Sequence, residues 1–335
     1  MHGFVWAEGY STPLSLRETQ KAIKFVKDTF QGELARALHL ERISAPLFVP
    51  HGSGINDDLN GIERKVEFDI KACDTQAEIV QSLAKWKRMA LHRYGFAAGE
   101  GLYTDMCAIR RDDDMDNVHS IYVDQWDWEK VITPEQRNRF FLEEIVTKIV
   151  VALWETKKKV SERYPALSGK IEKKVFFITS EKLLQMYPDL TAKEREHAIV
   201  KEKKTVFIEQ IGGVLSDGQK HDGRAPDYDD WSLNGDLLVW NEVMEQPIEL
   251  SSMGIRVDAL TLKEQLAKCD ATEREKYAYH QGILNGTLPL TVGGGIGQSR
   301  LCLVLLEKLH IGEVQASIWS DEIIKEAAAH GVALL

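Results

Sequence analysis

The chain has 335 residues, 44% of them apolar, enough to bury a large core in one big domain or two closely joined ones. Its 42 Lys and Arg against 52 Asp and Glu leave a formal net charge of -10, which disfavours an extended phosphate-tracking surface but permits a local basic site. Cys73, Cys107, Cys269 and Cys302 stand far apart with no CxxC pair, so they read as reduced core thiols and not as a disulfide framework or zinc site. With no secretory h-region and no apolar run that could span a bilayer, a cytoplasmic protein without membrane contact is expected.

In chain order, residues 1–13 have no hydrophobic period and read as a loosely held arm, with a single domain over 14–335. Ser15 and Glu18 form a capping-box signature, and Ile23, Val26, Phe30, Leu34 and Leu38 then recur at helical spacing up to about His39. Ile43 to Val49 reads as a strand carrying Pro46, which belongs at an edge or interface. From Leu102 to Glu129 the pattern is strand, polar loop (Arg111 to Asn117), strand. Alternation in the second strand puts Val123, Gln125, Asp127 and Glu129 on one face and Tyr122, Asp124, Trp126 and Trp128 on the other. Phe141, Ile145, Ile149 and Leu153 mark a second long helix. Val175 to Thr179 and Thr205 to Ile211 read as strands around helices capped at Ser180 and Thr191. Residues 212–235, rich in Gly, Asp and Ser, form the longest loop-like stretch, where lids are often found. Leu237 to Trp240 and Ile248 to Ser251 form a hairpin, and Leu262 to Leu284 a helix.

The run Gly293-Gly294-Gly295-Ile296-Gly297-Gln298-Ser299-Arg300 leads into the apolar segment Leu301 to Leu309. Alternate glycines let backbone approach a ligand, and a helix beginning beside them would aim its amides at an anion. Arg300 can reach back to a phosphate or stack on a base. The pattern is neither a Walker loop nor a Rossmann turn. Taken alone it also fits a packing turn. Arg110 closes the first strand of the strand-loop-strand unit before an acidic loop, where it either grips an anion or pairs with Asp112 or Asp113; Arg111 is the substitute. If the hairpin turns near Val243 and Met244, Asp236 and Glu249 fall diagonally on one face and could share a magnesium ion; otherwise they are a solvated acidic face. Ser82, Lys85, Lys87 and Arg256 have a surface reading too.

The glycine pattern, the arginine-closed unit and the helix-strand-proline segment resemble motifs 3, 2 and 1 of the class II aminoacyl-tRNA synthetase superfamily. More closely, SLAKWKR (Ser82 to Arg88), YVDQWDWE (Tyr122 to Glu129), RAPDYDDW (Arg224 to Trp231), ELSSMGIR (Glu249 to Arg256) and GGGIGQSR (Gly293 to Arg300) resemble the A-type ammonia-dependent asparagine synthetases, the aspartate-ammonia ligases, from about Gln20 onward. Arg111, where a proline is frequent, a short loop after Trp231 and the added arm depart from that pattern.

The resemblance implies an α+β fold, a class II synthetase-like catalytic core whose antiparallel β-sheet is flanked by helices, in a homodimer. It implies that aspartate and ATP form a β-aspartyl adenylate that ammonia converts to asparagine and AMP, with magnesium as cofactor and no tRNA. Carried over residue by residue, Arg110 and Arg300 with Gly293, Gly295 and Gly297 bind ATP, and Asp236 and Glu249 hold the magnesium. Lys87 and Arg256, with Ser82 and Ser251, bind aspartate. Asp57, Gln125 and Asp127 face its ammonium group or the incoming ammonia, and with Arg110 make up the catalytic set. An aspartyl-tRNA or asparaginyl-tRNA synthetase core and a non-catalytic regulatory paralogue are the alternatives. No cysteine follows the initiator Met, where a glutaminase nucleophile would stand, because residue 2 is His.

Overall fold

The computed structural model describes residues 4–57, 59 and 63–335. Helix α1 (Leu16–Leu38) starts where the Ser15 side chain accepts from the Glu18 amide and the Glu18 carboxylate accepts from the Ser15 amide at 3.0 Å. It buries Ala22, Val26, Phe30, Leu34 and Leu38, and stops at His39, whose φ is 58°. Each of its large apolar side chains contributes about 1.5–3 kcal/mol by leaving water.

Strands β1 (Leu40–Arg42) and β2 (Phe48–Pro50) follow, with Pro46 between them and not inside a strand. Strands β3 (Glu67–Ile70) and β4 (Thr75–Ile79) join β2 in a three-stranded sheet of order β2-β4-β3. Helix α2 (Ala84–Tyr94) precedes β5 (Gly101–Ile109) and β6 (Tyr122–Val131), the expected strand-loop-strand unit with a loop somewhat longer than its polar core. Helix α3 (Arg139–Arg163) is the second long helix. Strand β7 (Phe176–Thr179) leads into α4 (Ser180–Met186), whose cap is Thr179 and not Ser180: the Thr179 hydroxyl accepts the Lys182 amide, which makes Ser180 the first helical residue. Helix α5 (Ala192–Lys203), capped by Thr191 as expected, leads to β8 (Thr205–Glu209).

The loop ends sooner than its composition suggests, because Asp229 to Gly235 belong to β9 (Asp229–Asn241). Strand β10 (Gln246–Arg256) returns from a turn at Val243 and Met244, pairing Gln246 with Asn241. The helix expected over Leu262 to Leu284 is broken into α6 (Ala259–Lys268), a short 3-10 turn (Thr272–Lys276) and α7 (Ala278–Leu284), since Asp270, at φ 51°, cannot continue a helix. Strand β11 (Thr291–Gly297), α8 (Gln298–Leu305) and α9 (Asp321–Ala329) complete the chain.

The main sheet has the order β1-β5-β6-β11-β10-β9-β8-β7, antiparallel except for the parallel end pairs β1/β5 and β7/β8. One face holds the large core, where Trp126, Trp128, Met253 and Ile255 meet Phe30, Ile149 and Leu301 from α1, α3 and α8. The opposite face, with Gln125, Asp127 and Glu129 from β6, is therefore left to carry polar groups. Two readings need correction. Cys73 and Cys107 are exposed and Cys269 is half-buried, so Cys302 alone is a buried core thiol. Residues 4–13 are not loose: the Asn117 side chain brackets the Val5 backbone, accepting from its amide at 2.7 Å and donating to its carbonyl at 2.9 Å, and the Tyr10 hydroxyl donates to Glu313 at 2.9 Å.

Candidate active site

The polar face of the sheet opens into a cavity of about 500 Å³ under α2 and the loop after β8. Three strands set its floor. Gly293, Gly295 and Gly297 of β11 lie opposite Glu129, Asp127 and Gln125 of β6. The glycines form an extended strand and not the turn expected from sequence, and none of them has a left-handed φ. What demands glycine is proximity. A Cβ on Gly293 would sit 1.9 Å from Glu129 Oε2, and one on Gly295 would sit 2.2 Å from Gln125 Oε1. Gly297 meets nothing closer than Arg300 at 3.4 Å and serves as the residue before α8.

On this floor lies a buried ion network. Arg256 donates through Nε at 3.0 Å and Nη2 at 2.7 Å to Glu129, and through Nη1 to Asp229. Lys87 donates to Asp127 Oδ1 and to the Gly294 carbonyl, both at 2.9 Å. Burial raises the Glu129 carboxyl, yet Arg256 and Lys87 overcome this and hold it below the usual carboxylate range. Burial also pulls the Lys87 ammonium down, and Arg256 adds to the effect. None of Lys85, Lys87 and Arg256 is a surface cation; each is at most 2% exposed. Lys85 is committed to the carbonyls of Gly54 and Asn56, at 3.2 Å each, and to Asp227 at 3.0 Å.

Arg110 behaves differently. Among the described residues its guanidinium donates only to the Gln81 carbonyl, at 3.3 and 3.4 Å. Asp112, a candidate partner for it, is taken by Arg64. Arg300 donates to the carbonyls of Val118, at 3.3 Å, and Glu249, at 3.1 Å. Among the described residues neither guanidinium is ion-paired with a carboxylate, and both line the cavity. Asp57 Oδ2 and Asp127 Oδ2 are buried acceptors there without a donor. Burial, reinforced by Asp227, pushes the Asp57 carboxyl up against the pull of Lys85 and Arg110.

Asp236 and Glu249 share a face, but the strands carry a bulge at Leu250, so Ser252 and not Ser251 lies opposite Asp236 and Gly295. Ser251 spends its hydroxyl on the Gly295 carbonyl at 2.8 Å, while the Ser82 hydroxyl accepts from the Ala84 amide at 3.1 Å. Glu249 lines the cavity; Asp236 lies behind Arg224, which donates to its Oδ2 and leaves Oδ1 without a partner. Burial, the nearby Glu249 and Asp222 push the Asp236 carboxyl up to about 6 despite Arg224. Thus Asp57, Ser82, Lys87, Arg110, Gln125, Asp127, Glu249, Ser251, Arg256, Gly295, Gly297 and Arg300 converge on one cavity, with Gly293 beneath it and Asp236 behind Arg224.

Sequence reasoning gave no role to Arg224, Asp229, Ser252 or the buried group of Asp227 with His280 and Arg274, both 3.1 Å from it. The acidic run of RAPDYDDW was the available signal for three of them. The bulge that turns Ser252 inward leaves no mark in the sequence.

Residues 17–331 match the family described as aspartate-ammonia ligase. The chain is 57% identical over 327 residues to an aspartate-ammonia ligase of Clostridium tetani, covering 97% of this chain and 96% of that protein. With the corresponding protein of Ruminiclostridium cellulolyticum it shares 54% over 337 residues, all of both chains. Among solved structures it resembles an asparaginyl-tRNA synthetase of Entamoeba histolytica in complex with asparaginyl-adenylate, with a TM-score of 0.64 at 13% identity, covering 89% of this chain and 66% of that one. A Pyrococcus horikoshii asparaginyl-tRNA synthetase gives 0.63 at 16% identity, covering 89% and 68%. The class II synthetase-like fold expected from the motifs is therefore the fold observed.

Proposed function

The chain belongs to the aspartate-ammonia ligase family and is an enzyme of ATP-dependent asparagine synthesis, and we propose that its reaction runs through a β-aspartyl adenylate in the cavity under α2. The observation that carries this reading is the complementary set of unsatisfied groups in one cavity. Among the described residues Arg110 and Arg300 lack carboxylate partners, as suits groups that receive phosphates, while Asp57 Oδ2 and Asp127 Oδ2 lack donors, as suits groups that receive an ammonium or ammonia.

In the first step a side-chain carboxylate oxygen of aspartate attacks the α-phosphorus of ATP, and the bond to pyrophosphate breaks. Arg110 spans the two anions, offsetting their repulsion and fixing the line of attack. The α-carboxylate of aspartate lies against Lys87 and Arg256. Each keeps at least one N–H that no protein acceptor takes: Lys87 uses two of three, and Arg256 three of five. In the second step ammonia attacks the β-carbonyl carbon, AMP leaves, and a buried carboxylate, Asp57 or Asp127, accepts the proton that ammonium or the tetrahedral adduct sheds. Gln125, beside Asp127 on the same face, orients the nucleophile.

Asp236 and Glu249 suit magnesium: the donors are hard oxygens, and Asp236 Oδ1 is orphaned. Bound there, the ion would neutralise phosphate charge. Arg224 would have to yield Asp236 Oδ2. The enzyme works without tRNA. It works as a homodimer, a reading supported by the apolar side chains of Leu47, 49% exposed, and Phe48, 45% exposed, beside Pro46. No helix of the described residues is long and apolar enough to cross a membrane.

The test uses aspartate labelled with ¹⁸O in its carboxylates. Transfer of one label to AMP is expected, with no aspartyl-tRNA or asparaginyl-tRNA formed on adding tRNA. Label in inorganic phosphate, or a charged tRNA, would overturn the reading.

A further inference from the structure

The small sheet carries a second cluster that the synthesis of asparagine leaves unused. Glu67 and Glu78 are directly opposite on the antiparallel strands β3 and β4, an arrangement of like charges that costs stability unless a cation sits between them. Glu78 is 1% exposed, and its Oε2 accepts no hydrogen bond. His51 follows β2 directly, its backbone fixed by a 3.0 Å hydrogen bond from its amide to the Gln76 carbonyl. Its Nδ1 is 3.4 Å from Glu67 Oε1 and 3.7 Å from Glu78 Oε2, and the three ligand atoms all lie within 4.8 Å of one another.

Two ligands about 2.1 Å from a tetrahedral ion are about 3.4 Å apart, so the two separations from His51 fit such an ion, and the carboxylate oxygens, within 4.8 Å of each other, can close on it by side-chain rotation. The donor set of one imidazole nitrogen and two carboxylates suits zinc and its neighbours better than magnesium, which prefers oxygen alone. Three protein ligands leave a fourth position for water. The Lys65 ammonium, 3.4 Å from Glu78 Oε2 and 22% exposed, already offsets part of the negative charge, a role that an entering ion would share.

We propose that His51, Glu67 and Glu78 form a binding site for a divalent transition-metal ion of the zinc class, distinct from the Asp236 and Glu249 pair. Such an ion ties the end of β2 to β3 and β4. The segment from His51 to Asp57 then leaves a fixed point, and Asn56 on it already holds the Ile79 carbonyl at 3.0 Å and the Gln81 amide at 2.8 Å. The ion thereby stiffens the approach of Asp57 to the cavity from outside it.

The full-length protein, stripped of metal with a chelator, is titrated with Zn²⁺ in millimolar Mg²⁺, which keeps the oxygen pair in the cavity occupied. Retained zinc is counted after gel filtration, and Co²⁺ is used in parallel for its absorption spectrum. One equivalent is expected in the wild type, bound at least tenfold more weakly by His51→Ala and by Glu67→Gln. Both substitutions are at exposed side chains, so asparagine synthesis in zinc-free buffer with Mg²⁺ should continue and report an intact fold. The exposed thiols Cys73 and Cys107 are the competing ligands. Serine at both should leave zinc binding unchanged, and the Co²⁺ spectrum should lack sulfur charge-transfer bands. Absence of retained zinc, binding that survives both His51→Ala and Glu67→Gln, or binding lost with the two cysteines would overturn the proposal.

Discussion

Arg110 and Arg256 are both arginines in one cavity, yet their surroundings assign them different tasks. Among the described residues Arg110 has only the Gln81 carbonyl to hold it, so its charge is available to a ligand. Arg110→Ala should leave stability nearly unchanged and lower kcat/KM by about 10²–10³ or more, as loss of a preorganised charge does; steady-state kinetics with a thermal melt checks both, and near-normal activity would hand the role to Arg111. Arg256 is held by Glu129 and Asp229, so Arg256→Lys loses a planar fork and should raise the KM for aspartate far more than that for ATP. Removing one side of this network by Glu129→Ala should cost about 3–5 kcal/mol of stability, measured by denaturant unfolding, because a buried guanidinium loses its partner. The pH dependence has a sign. Asp236, pushed up to about 6 by burial and Glu249, is disfavoured as an anion in the folded protein, so its ionisation subtracts stability as pH rises through that value, while the magnesium proposed to bind there would need the anion. The magnesium requirement should therefore increase as pH falls through about 6. Asp236→Asn should need more magnesium at neutral pH and lose that inflection; a wild-type profile that the variant reproduces would place the effect elsewhere, for instance on the phosphates.

The glycine strand marks how far a sequence can be read at the level of elements. The spacing of Gly293, Gly295 and Gly297 announced a close approach but not its cause, since a turn and a crowded strand use the same residue. The cause is cross-strand: Glu129 and Gln125 are remote in sequence and come to 1.9 and 2.2 Å of the missing Cβ positions through register alone. Gly293→Ala, which meets the Glu129 carboxylate locked by Arg256 and Thr291, should reduce activity by orders of magnitude and lower the melting temperature; Gly295→Ala, which meets only the ends of the Gln125 and Asp127 side chains, should lower activity with less effect on stability, whereas Gly297→Ala, 3.4 Å from its nearest neighbour, should fold normally. Equal tolerance at all three would mean that the floor gives way and that its crowding is not a constraint. The hairpin turn at Val243 and Met244 and the separation of the β6 faces were legible because turn position and alternation are local properties. The bulge at Leu250 and the pairing of Arg224 with Asp236 were not, because a register shift within a hairpin and the side-chain partner of a loop arginine are set by packing and not by spacing or alternation.

At the scale of the molecule, the motifs scattered from Asp57 to Arg300 come together because β11 inserts between β6 and β10, bringing the glycine strand beside both acidic strands. The N-terminal segment contributes to the same assembly. Asn117, within the loop that joins β5 to β6 after Arg110, bonds to Val5 and also donates to the Leu309 carbonyl at 2.9 Å, so the N-terminal segment is tied to that loop. Composition alone suggested a loose arm, since anchoring by single side chains has no periodic signature. On the proposed route ATP activates the side-chain carboxylate of aspartate as an acyl adenylate, and ammonia displaces AMP from it. The most direct test is one reaction with aspartate, ATP, magnesium and ¹⁵N-labelled ammonium, read by NMR for the nitrogen and by chromatography for the nucleotide. The account predicts ¹⁵N in the side-chain amide of asparagine with AMP and pyrophosphate in equal amount; ¹⁵N in an amide at the α-carboxyl, or ADP and phosphate, would contradict it.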